Sequence, residues 1–177
     1  TINVIDTTND ELAWTLEISA GLRPMAFNSH ADASTKNIFL QLSGFHGFAV
    51  VDFNLRKEIA RVAHPPVPGE RAHSDGLQGA PTHGLGVSPD GKTLWSTSKV
   101  YSHVYVHSLP SLEEIGQVFV GQHPEWVTFT PDGKYAYIGA AGDNETHAID
   151  VATLKKVATI PVGQVPKRVG TVLMAID

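Results

Sequence analysis

The chain has 177 residues, of which 42% are hydrophobic and 18% are charged, so it is long enough and apolar enough to fold around a core. Thirteen Lys and Arg residues against eighteen Asp and Glu residues give a formal charge of -5, and no basic run occurs, so we expect no nucleic-acid partner. No stretch has the roughly 20 consecutive apolar residues of a membrane-spanning helix. The chain has no cysteine, which excludes disulfides and thiolate chemistry.

A repeat with an offset of 42 residues runs through the sequence. The segment 87–92 (VSPDGK) returns as 129–134 (FTPDGK), and the segment 121–124 (GQHP) returns as 163–166 (GQVP). Two independent motifs share the same offset, which is typical of a repeat architecture.

In chain order, the repeat predicts a part-blade at 1–18, complete blades at about 21–62, 79–120 and 121–162, and a part-blade at 163–177. Each complete copy holds four short runs of β-forming residues separated by turn residues, with no helical periodicity. The Thr-Pro-Asp-Gly turn at 130–133 fits a tight hairpin. We therefore expect an all-β protein made of four-stranded antiparallel β-propeller blades, about four blades' worth of chain, which is a partial or half propeller.

The pattern around the Pro-Asp-Gly turns, at 81–95 and 124–137, resembles the YVTN-type bacterial β-propeller repeat. Two apolar residues followed by Asp, at Asp6, Asp52 and Asp150, belong to the same pattern. The literal Tyr-Val-Thr-Asn is absent, because its places hold the segments 95–98 (WSTS) and 137–140 (YIGA). The resemblance implies a ring of seven or a similar number of blades, and a periplasmic or extracellular location.

The chain is shorter than such a ring, and it begins at Thr1 without an initiator Met. We expect either a piece of a longer propeller or one half of a ring made of two chains, because propellers close with about 4–8 blades. The expected partners are therefore missing blades or a second copy, together with a protein, glycan or small-molecule ligand bound at one rim.

The rim formed by the interblade links and the loops between second and third strands is expected to be functional. Six of the nine histidines fall on it: His46, His64, His73, His83, His103 and His123. An insertion at 63–78 also lies there, and loops longer than a fold needs are usually functional or disordered.

Imidazole is a common ligand of zinc, copper and iron, so His64, His73, His83 and His123 are candidate ligands of a divalent metal. No metal-binding spacing occurs, and the cofactor is otherwise unknown from the sequence. The alternative is that the loop histidines only form surface hydrogen bonds, with His107 and His147 half-buried in strands.

A second set of candidates comes from comparing the copies. The 42-residue offset places His83, Glu125 and Lys167 in equivalent positions before the apolar part of a first strand. By the same offset, Trp126 is equivalent to Arg168. These five residues are candidate ligand-binding residues at the channel mouth. The alternative is that any polar residue is tolerated there.

Two functions from different classes remain open on the sequence. The first is a binding or scaffold module that acts through the loop-rich rim. The second is a metal-dependent enzyme, either a hydrolase resembling a lactonase or an oxidoreductase, with the histidine-rich rim as its site.

Overall fold

The structure is a computed structural model that describes residues 1–75, 77–172 and 174. Within these residues every regular element is a β-strand, and no helix is present that is long and apolar enough to cross a membrane. The expected all-β class is confirmed.

Fourteen strands form one two-stranded and three four-stranded antiparallel sheets within the described ranges. The two-stranded sheet contains β1 (Ile2–Asp6) and β2 (Glu11–Leu16). The first four-stranded sheet contains β3 (Leu22–Ser29), β4 (Thr35–Leu42), β5 (Gly47–Asp52) and β6 (Lys57–Ala63). The second contains β7 (Thr82–Val87), β8 (Thr93–Ser98), β9 (His103–Ser108) and β10 (Glu114–Phe119). The third contains β11 (Pro124–Phe129), β12 (Tyr135–Ala140), β13 (Glu145–Asp150) and β14 (Lys155–Pro161).

The sequence repeat is reproduced in the hydrogen bonds of the second and third sheets. In the second sheet the amide of Ser88 donates to the carbonyl of Thr93, and 42 residues later the amide of Thr130 donates to Tyr135, both at 2.9 Å. Gly91 and Gly133 each take a φ of 71° after Pro-Asp, a conformation that glycine adopts without steric strain. The Pro-Asp-Gly hairpins predicted from the sequence are therefore present in both sheets.

The sheets pack face to face, and their first strands lie side by side, with β3 beside β7 and β7 beside β11. An apolar layer joins the second and third sheets, in which Trp95 packs edge-on to Phe129 at 5.7 Å between ring centroids. A second layer joins the first and second sheets, and a third joins the first sheet to the β1–β2 pair. Burial of these layers is the main term that stabilises a stack of sheets.

Two glycines of β7 set the distance between β7 and β11. A Cβ atom at Gly84 would lie 2.8 Å from the carbonyl oxygen of Glu125, and one at Gly86 would lie 2.9 Å from Cγ1 of Val127. Real Cβ atoms essentially never come this close to such atoms. The two first strands can therefore approach only because these positions carry no side chain.

The segment after β14 follows the surface of the third sheet. The hydroxyl of Thr171 donates to the carbonyl of Phe129 at 2.7 Å, and the carbonyl of Pro166 would contact a Cβ atom at Gly139 at 2.7 Å. Residues 163–172 thus lie beside β11, much as β11 lies beside β7. Of the part-blade predicted at 163–177, residues 173 and 175–177 fall outside the described residues, and the blade boundaries stay a prediction.

Gly84→Ala is expected to destabilise the fold by about 1–3 kcal/mol, because the new methyl group must push the β11 backbone away. The measurement is the free energy of unfolding from urea denaturation. Gly163→Ala is the matched control, since a Cβ atom there meets no atom within 4 Å. Equal stabilities of the two variants would contradict the close packing of the first strands.

Candidate functional site

One rim of the molecule carries the candidate site. We call it the loop rim, and it consists of the loops 43–46, 64–81, 99–102, 120–123 and 141–144, without Gly76, which the structure does not describe. Backbone hydrogen bonds hold these loops together: His73 donates to Val100 at 2.8 Å, and Lys99 donates to Pro81 at 2.9 Å. The loops that the sequence assigns to one rim do lie on one rim.

The centre of the loop rim holds a buried ion pair between Lys99 and Glu125. Their side chains are 1% and 5% exposed, and the Lys99 ammonium lies 2.8 Å from Oε1 of Glu125. Lys99 follows the last residue of β8, and Glu125 is the second residue of β11. The pair therefore ties a loop of the second sheet to the first strand of the third sheet.

His83 completes this cluster from β7. Its Nδ1 lies 2.9 Å from Oε2 of Glu125 and 3.1 Å from the backbone carbonyl of the same residue. A carbonyl only accepts, so Nδ1 carries a hydrogen and donates to it. Oε2 of Glu125 therefore makes a short electrostatic contact with the imidazole but receives no well-aligned hydrogen bond within the described residues.

The environment of Glu125 keeps its carboxylate ionised. Burial by itself would raise the pKa, but the short contacts of its two oxygens with His83 and Lys99 outweigh burial and lower the pKa of Glu125 from 4.5 to about 2. The carboxylate is therefore a weak base and a permanent negative charge above strongly acidic pH.

Several polar atoms beside the ion pair have no hydrogen-bond partner in the described chain. They are Oγ of Ser102, Nδ1 of His123 and Oε2 of Glu125, all shielded from solvent. The Lys99 ammonium has three donors, and its contact with Glu125 uses one of them. Buried groups of this kind are uncommon in folded proteins and call for a physical explanation.

Two cavities lie next to these residues, and both are lined by His123. The inner cavity has a volume of about 40 Å³ and is also lined by Lys99, Ser102, His73, Asp75 and Gln122. The outer cavity has a volume of about 200 Å³ and is also lined by Glu125, Gln78, Lys167, Val165, Ala141 and Gly142. The ion pair therefore lies between a small inner space and a larger outer one.

The five ligand-binding candidates predicted from the sequence are neighbours in the structure. His83 contacts Glu125, and its ring centroid lies 6.1 Å from that of Trp126. The guanidinium of Arg168 lies over the Trp126 ring at 5.4 Å, which is a cation–π contact. Lys167 lines the outer cavity with Glu125. Their role in ligand binding stays a prediction.

The four candidate metal ligands are not brought together. His64 is 5% exposed and packed between sheets, whereas His73 is exposed on the rim. In residues 1–75, 77–172 and 174 no group of three or more His, Cys, Asp or Glu side chains could hold a metal ion. The expected divalent-metal site is therefore not assembled by the described residues.

His64 instead forms part of a buried hydrogen-bonded chain between the first and second sheets. Its Nε2 lies 2.8 Å from the hydroxyl of Ser96, and its Nδ1 lies 3.4 Å from Nε2 of His107. Nδ1 of His107 lies 3.1 Å from the carbonyl of Leu112, and Nε2 of Gln41 donates to the Ser96 hydroxyl at 3.2 Å.

The carbonyl at one end of this chain determines where the hydrogens are. His107 must donate to Leu112 through Nδ1, so its Nε2 accepts from Nδ1 of His64. Nε2 of His64 then accepts from the hydroxyl of Ser96. Both histidines are neutral in this arrangement, and burial lowers the pKa of His64 well below 6.5 and also lowers that of His107.

Two further histidines differ from the expectation of an open, histidine-lined rim. Nε2 of His46 forms a hydrogen bond of 2.7 Å with the Ser98 hydroxyl, and burial lowers the pKa of His46 to about 4. His103 is 6% exposed, with Nδ1 lying 2.6 Å from the carbonyl of Tyr101. The expectation that loop histidines are surface residues is therefore wrong for these two and for His64. The second sheet covers His46 and His64, and Phe119 and Glu70 lie beside His103.

Lys99 and Ser102 were not among the residues predicted from the sequence. The 42-residue offset could have pointed to Lys99, since its equivalent is Ala141, and a charge replacing a small apolar residue within a repeat is a signal. Ser102 gives no such signal, because its equivalent is Asn144, another common loop residue. Its burial depends on the fold.

The sequence matches no family model and none of the curated proteins. Solved structures with a β-propeller-like fold are similar to it. Hydrazine synthase from Kuenenia stuttgartiensis superposes with a TM-score of 0.64 at 22% identity, over 86% of this chain and 39% of that chain. A Bacteroides fragilis protein assigned as a 6-phosphogluconolactonase superposes with a TM-score of 0.67 at 22% identity, over 92% of this chain and 48% of that chain.

These comparisons show the fold. The chain has a β-propeller-like fold and spans less than half the length of the two structures. The finer resemblance to the YVTN-type repeat stays a prediction.

The Glu125 carboxylate gives a prediction for acid stability. Its folded pKa lies below its unfolded pKa, so its contribution to stability is present above about pH 4.5 and is lost as the pH falls towards 2. Wild type is therefore expected to exceed Glu125→Gln in free energy of unfolding at neutral pH, with the difference shrinking below about pH 4.5. Urea denaturation at neutral pH and again below about pH 4.5 measures the difference in free energy of unfolding.

The exposed Glu113 supplies the control, and Glu113→Gln is expected to change stability by less than about 0.5 kcal/mol at either pH. A constant difference between wild type and Glu125→Gln across the acid range would contradict the assigned ion pair.

The neutral His64 gives a second pH dependence with a different range. In the unfolded chain His64 gains a proton near pH 6.5, but in the folded protein it stays neutral to a much lower pH. His64 alone should therefore lower the free energy of unfolding by up to about 1.4 kcal/mol per pH unit below that value, and His46 and His107 add to the same slope. His64→Phe should flatten this slope, whereas His30→Phe at an exposed position should not. Identical slopes in the two variants would refute the assignment.

Proposed function

We propose that this β-propeller-like chain is a binding module that holds a small polar ligand on its loop rim, in the two cavities beside Lys99 and Glu125. The observation that carries the proposal is the buried Lys99–Glu125 pair with unpaired polar atoms around it. These atoms have no partner within the described chain, and the two cavities lie next to the residues that carry them.

The fold does not require an ion pair at this position. Taking two charges out of water costs free energy, and a buried ion pair is often no better for stability than apolar residues of similar size. The repeat itself does not need the charges, because Ala141 takes the place of Lys99 in the next copy. The charges are therefore better explained by ligand binding at the loop rim than by the repeat.

The insertion supports the proposal. Part of it forms one wall of the inner cavity, where His73 and Asp75 line the space beside Lys99. The backbone bond from His73 to Val100 attaches this wall to the loop that carries Lys99. A long interblade loop that is fixed against a polar cavity is typical of a binding loop.

At the level of the whole protein, we propose that the chain is part of a YVTN-type propeller whose further blades come from a longer chain or from a second copy. The sequence pattern at the Pro-Asp-Gly turns supports this, and so does the position of residues 163–172 beside β11. A periplasmic or extracellular location rests on the same resemblance.

A second candidate function is hydrolysis at the same rim. The observation that favours it is the position of His83, whose Nδ1 is held by the backbone and carboxylate of Glu125. An imidazole oriented in this way has Nε2 available as a general base that could activate water. The similarity to a protein assigned as a lactonase fits this alternative through the fold alone.

The double variant His73→Ala, His83→Ala tests the binding proposal. Wild type is titrated with D-glucose, glycine, acetate and inorganic phosphate, and amide chemical shifts are followed by NMR. We expect at least one compound to shift amides at 99–102 and 123–125, and the double variant to lose this response. Its melting temperature should fall only modestly, because His73 is exposed and His83 in β7 is only partly buried, although His83 contacts Glu125.

His30→Ala, on the opposite rim, is the control and should respond like wild type. Shifts confined to the Pro-Asp-Gly turns, or no shift with any compound, would contradict the proposal. Chemical conversion of a bound compound would favour the hydrolytic alternative.

A further inference from the structure

We propose that three neutral histidines hold the insertion at 63–78 against the second sheet, and that their protonation releases it, so that the loop rim opens in acid. We call His46, His64 and His107 the histidine cluster. His46 precedes β5, His64 is the second residue of the insertion, and His107 lies in β9. The inference goes beyond the proposed function, because it requires no ligand.

The rings of the histidine cluster lie close together between the first and second sheets. The centroid of the His64 ring is 5.2 Å from that of His46 and 5.3 Å from that of His107. His64 and His107 are 5% and 1% exposed, and His46 is half-buried. A proton on any of the three rings therefore places a charge beside another imidazole, with little access to water.

No carboxylate offsets such a charge. Among the described residues, carboxylates lie within 4 Å of a ring nitrogen of His83, His103 and His147, but not of the cluster. The titratable groups that surround His64, or that act on the tyrosine stacked against it, are His46, His107, Tyr101, Tyr105, Glu70 and Glu114. The two glutamates act on the Tyr105 hydroxyl, whereas the charges that act on His64 are those of the other two histidines. The Tyr105 ring attracts a cation only weakly.

The hydrogen-bonded chain has room for one added proton at most. Nε2 of His107 accepts from Nδ1 of His64, and Nε2 of His64 accepts from Ser96. If His107 gains a proton on Nε2, the hydrogen of His64 must move from Nδ1 to Nε2, and Ser96 must accept it. A second proton would leave two N–H groups facing each other across 3.4 Å. The chain must then separate.

The repeat does not require a titratable interface. The equivalents of Ser96 and His107 in the next copy are Ile138 and Ile149, and both isoleucines are fully buried. An apolar interface at these positions does not respond to pH. The titratable side chains occur at the interface where the insertion begins.

The insertion is the element that is free to move. Within 64–75 only His64 and Val67 are buried. The amide of His64 donates to His46 at 2.9 Å, and that of His73 donates to Val100 at 2.8 Å. Breaking these bonds disrupts no pairing inside the three four-stranded sheets, and segments with few contacts open at a lower free energy than the whole fold. Opening removes His73 from the wall of the inner cavity.

The direction of the pH dependence follows from burial. In the closed arrangement burial lowers the pKa of all three histidines, so each takes up a proton more readily when it is released into water. The closed form is therefore favoured above about pH 6.5 and is lost as the pH falls below that value. Each histidine raises the ratio of open to closed forms by up to about 30-fold between pH 7.5 and pH 5.

Hydrogen exchange followed by NMR tests the inference on the wild-type chain. Protection, the ratio of the intrinsic to the observed exchange rate, is measured for the amides of His64 and His73 at pH 7.5 and pH 5. We expect it to fall at least tenfold on acidification, while the amides of 135–140 in β12 keep theirs. Unchanged protection of His64 and His73, or an equal loss in β12, would overturn the inference.

Two variants separate titration from packing. His64→Phe keeps a ring that stacks on Tyr105, and His46→Gln removes a half-buried imidazole from a loop; each should reduce the pH response of the His73 amide by up to about 30-fold. His30→Gln, at an exposed position on the opposite rim, is the control and should respond like wild type. If His64→Phe does not fold, His46→Gln decides, and a response equal to that of wild type would refute the cluster.

The outcome is independent of the proposed function. Acid release of the insertion without binding of any compound in the earlier titration would refute the binding module and leave this inference in place. Binding together with constant protection of His64 and His73 would do the reverse.

Discussion

The close approach of β7 to β11 is the constraint on which the candidate site depends. Gly84 and Gly86 remove the side chains that would hold these strands apart. The backbone of Glu125 then comes within reach of His83, and its carboxylate comes within reach of Lys99 from the neighbouring loop. A wider spacing would let water between the charges, and water would weaken both their attraction and the effect on the pKa of Glu125.

The two interfaces between four-stranded sheets differ in chemistry at equivalent positions of the repeat. Between the second and third sheets, Ile138 and Ile149 belong to a buried apolar layer. Their equivalents one repeat earlier are Ser96 and His107, which form the buried polar chain with His64. Each ring nitrogen of the two histidines has a partner, whereas Oε1 of Gln41 has none within the described residues.

The insertion connects this polar interface to the loop rim. The ring of its second residue, His64, stacks on Tyr105 at 4.3 Å between centroids, and the hydroxyl of Tyr105 donates to the carbonyl of Pro65 at 2.8 Å. Farther along, His73 is bonded to the loop that carries Lys99. The insertion is therefore fixed at its first residues and again at the cavity wall, which explains how a long interblade link can form part of a binding site.

The sequence by itself determined the all-β class, the Pro-Asp-Gly hairpins and the common rim of the loops. Those features follow from turn chemistry within each copy and from the offset of 42 residues between copies, and both can be read from the chain without knowledge of its packing. The tertiary structure decided which polar residues are buried. His64 was predicted as a metal ligand and lies in an interface, whereas Lys99 and Ser102 were not predicted and lie in the cavity. Burial and pairing arise only when neighbouring sheets pack together. Lys99 and Glu125 are 26 residues apart, and the distance between their side chains is set by that packing and not by local sequence.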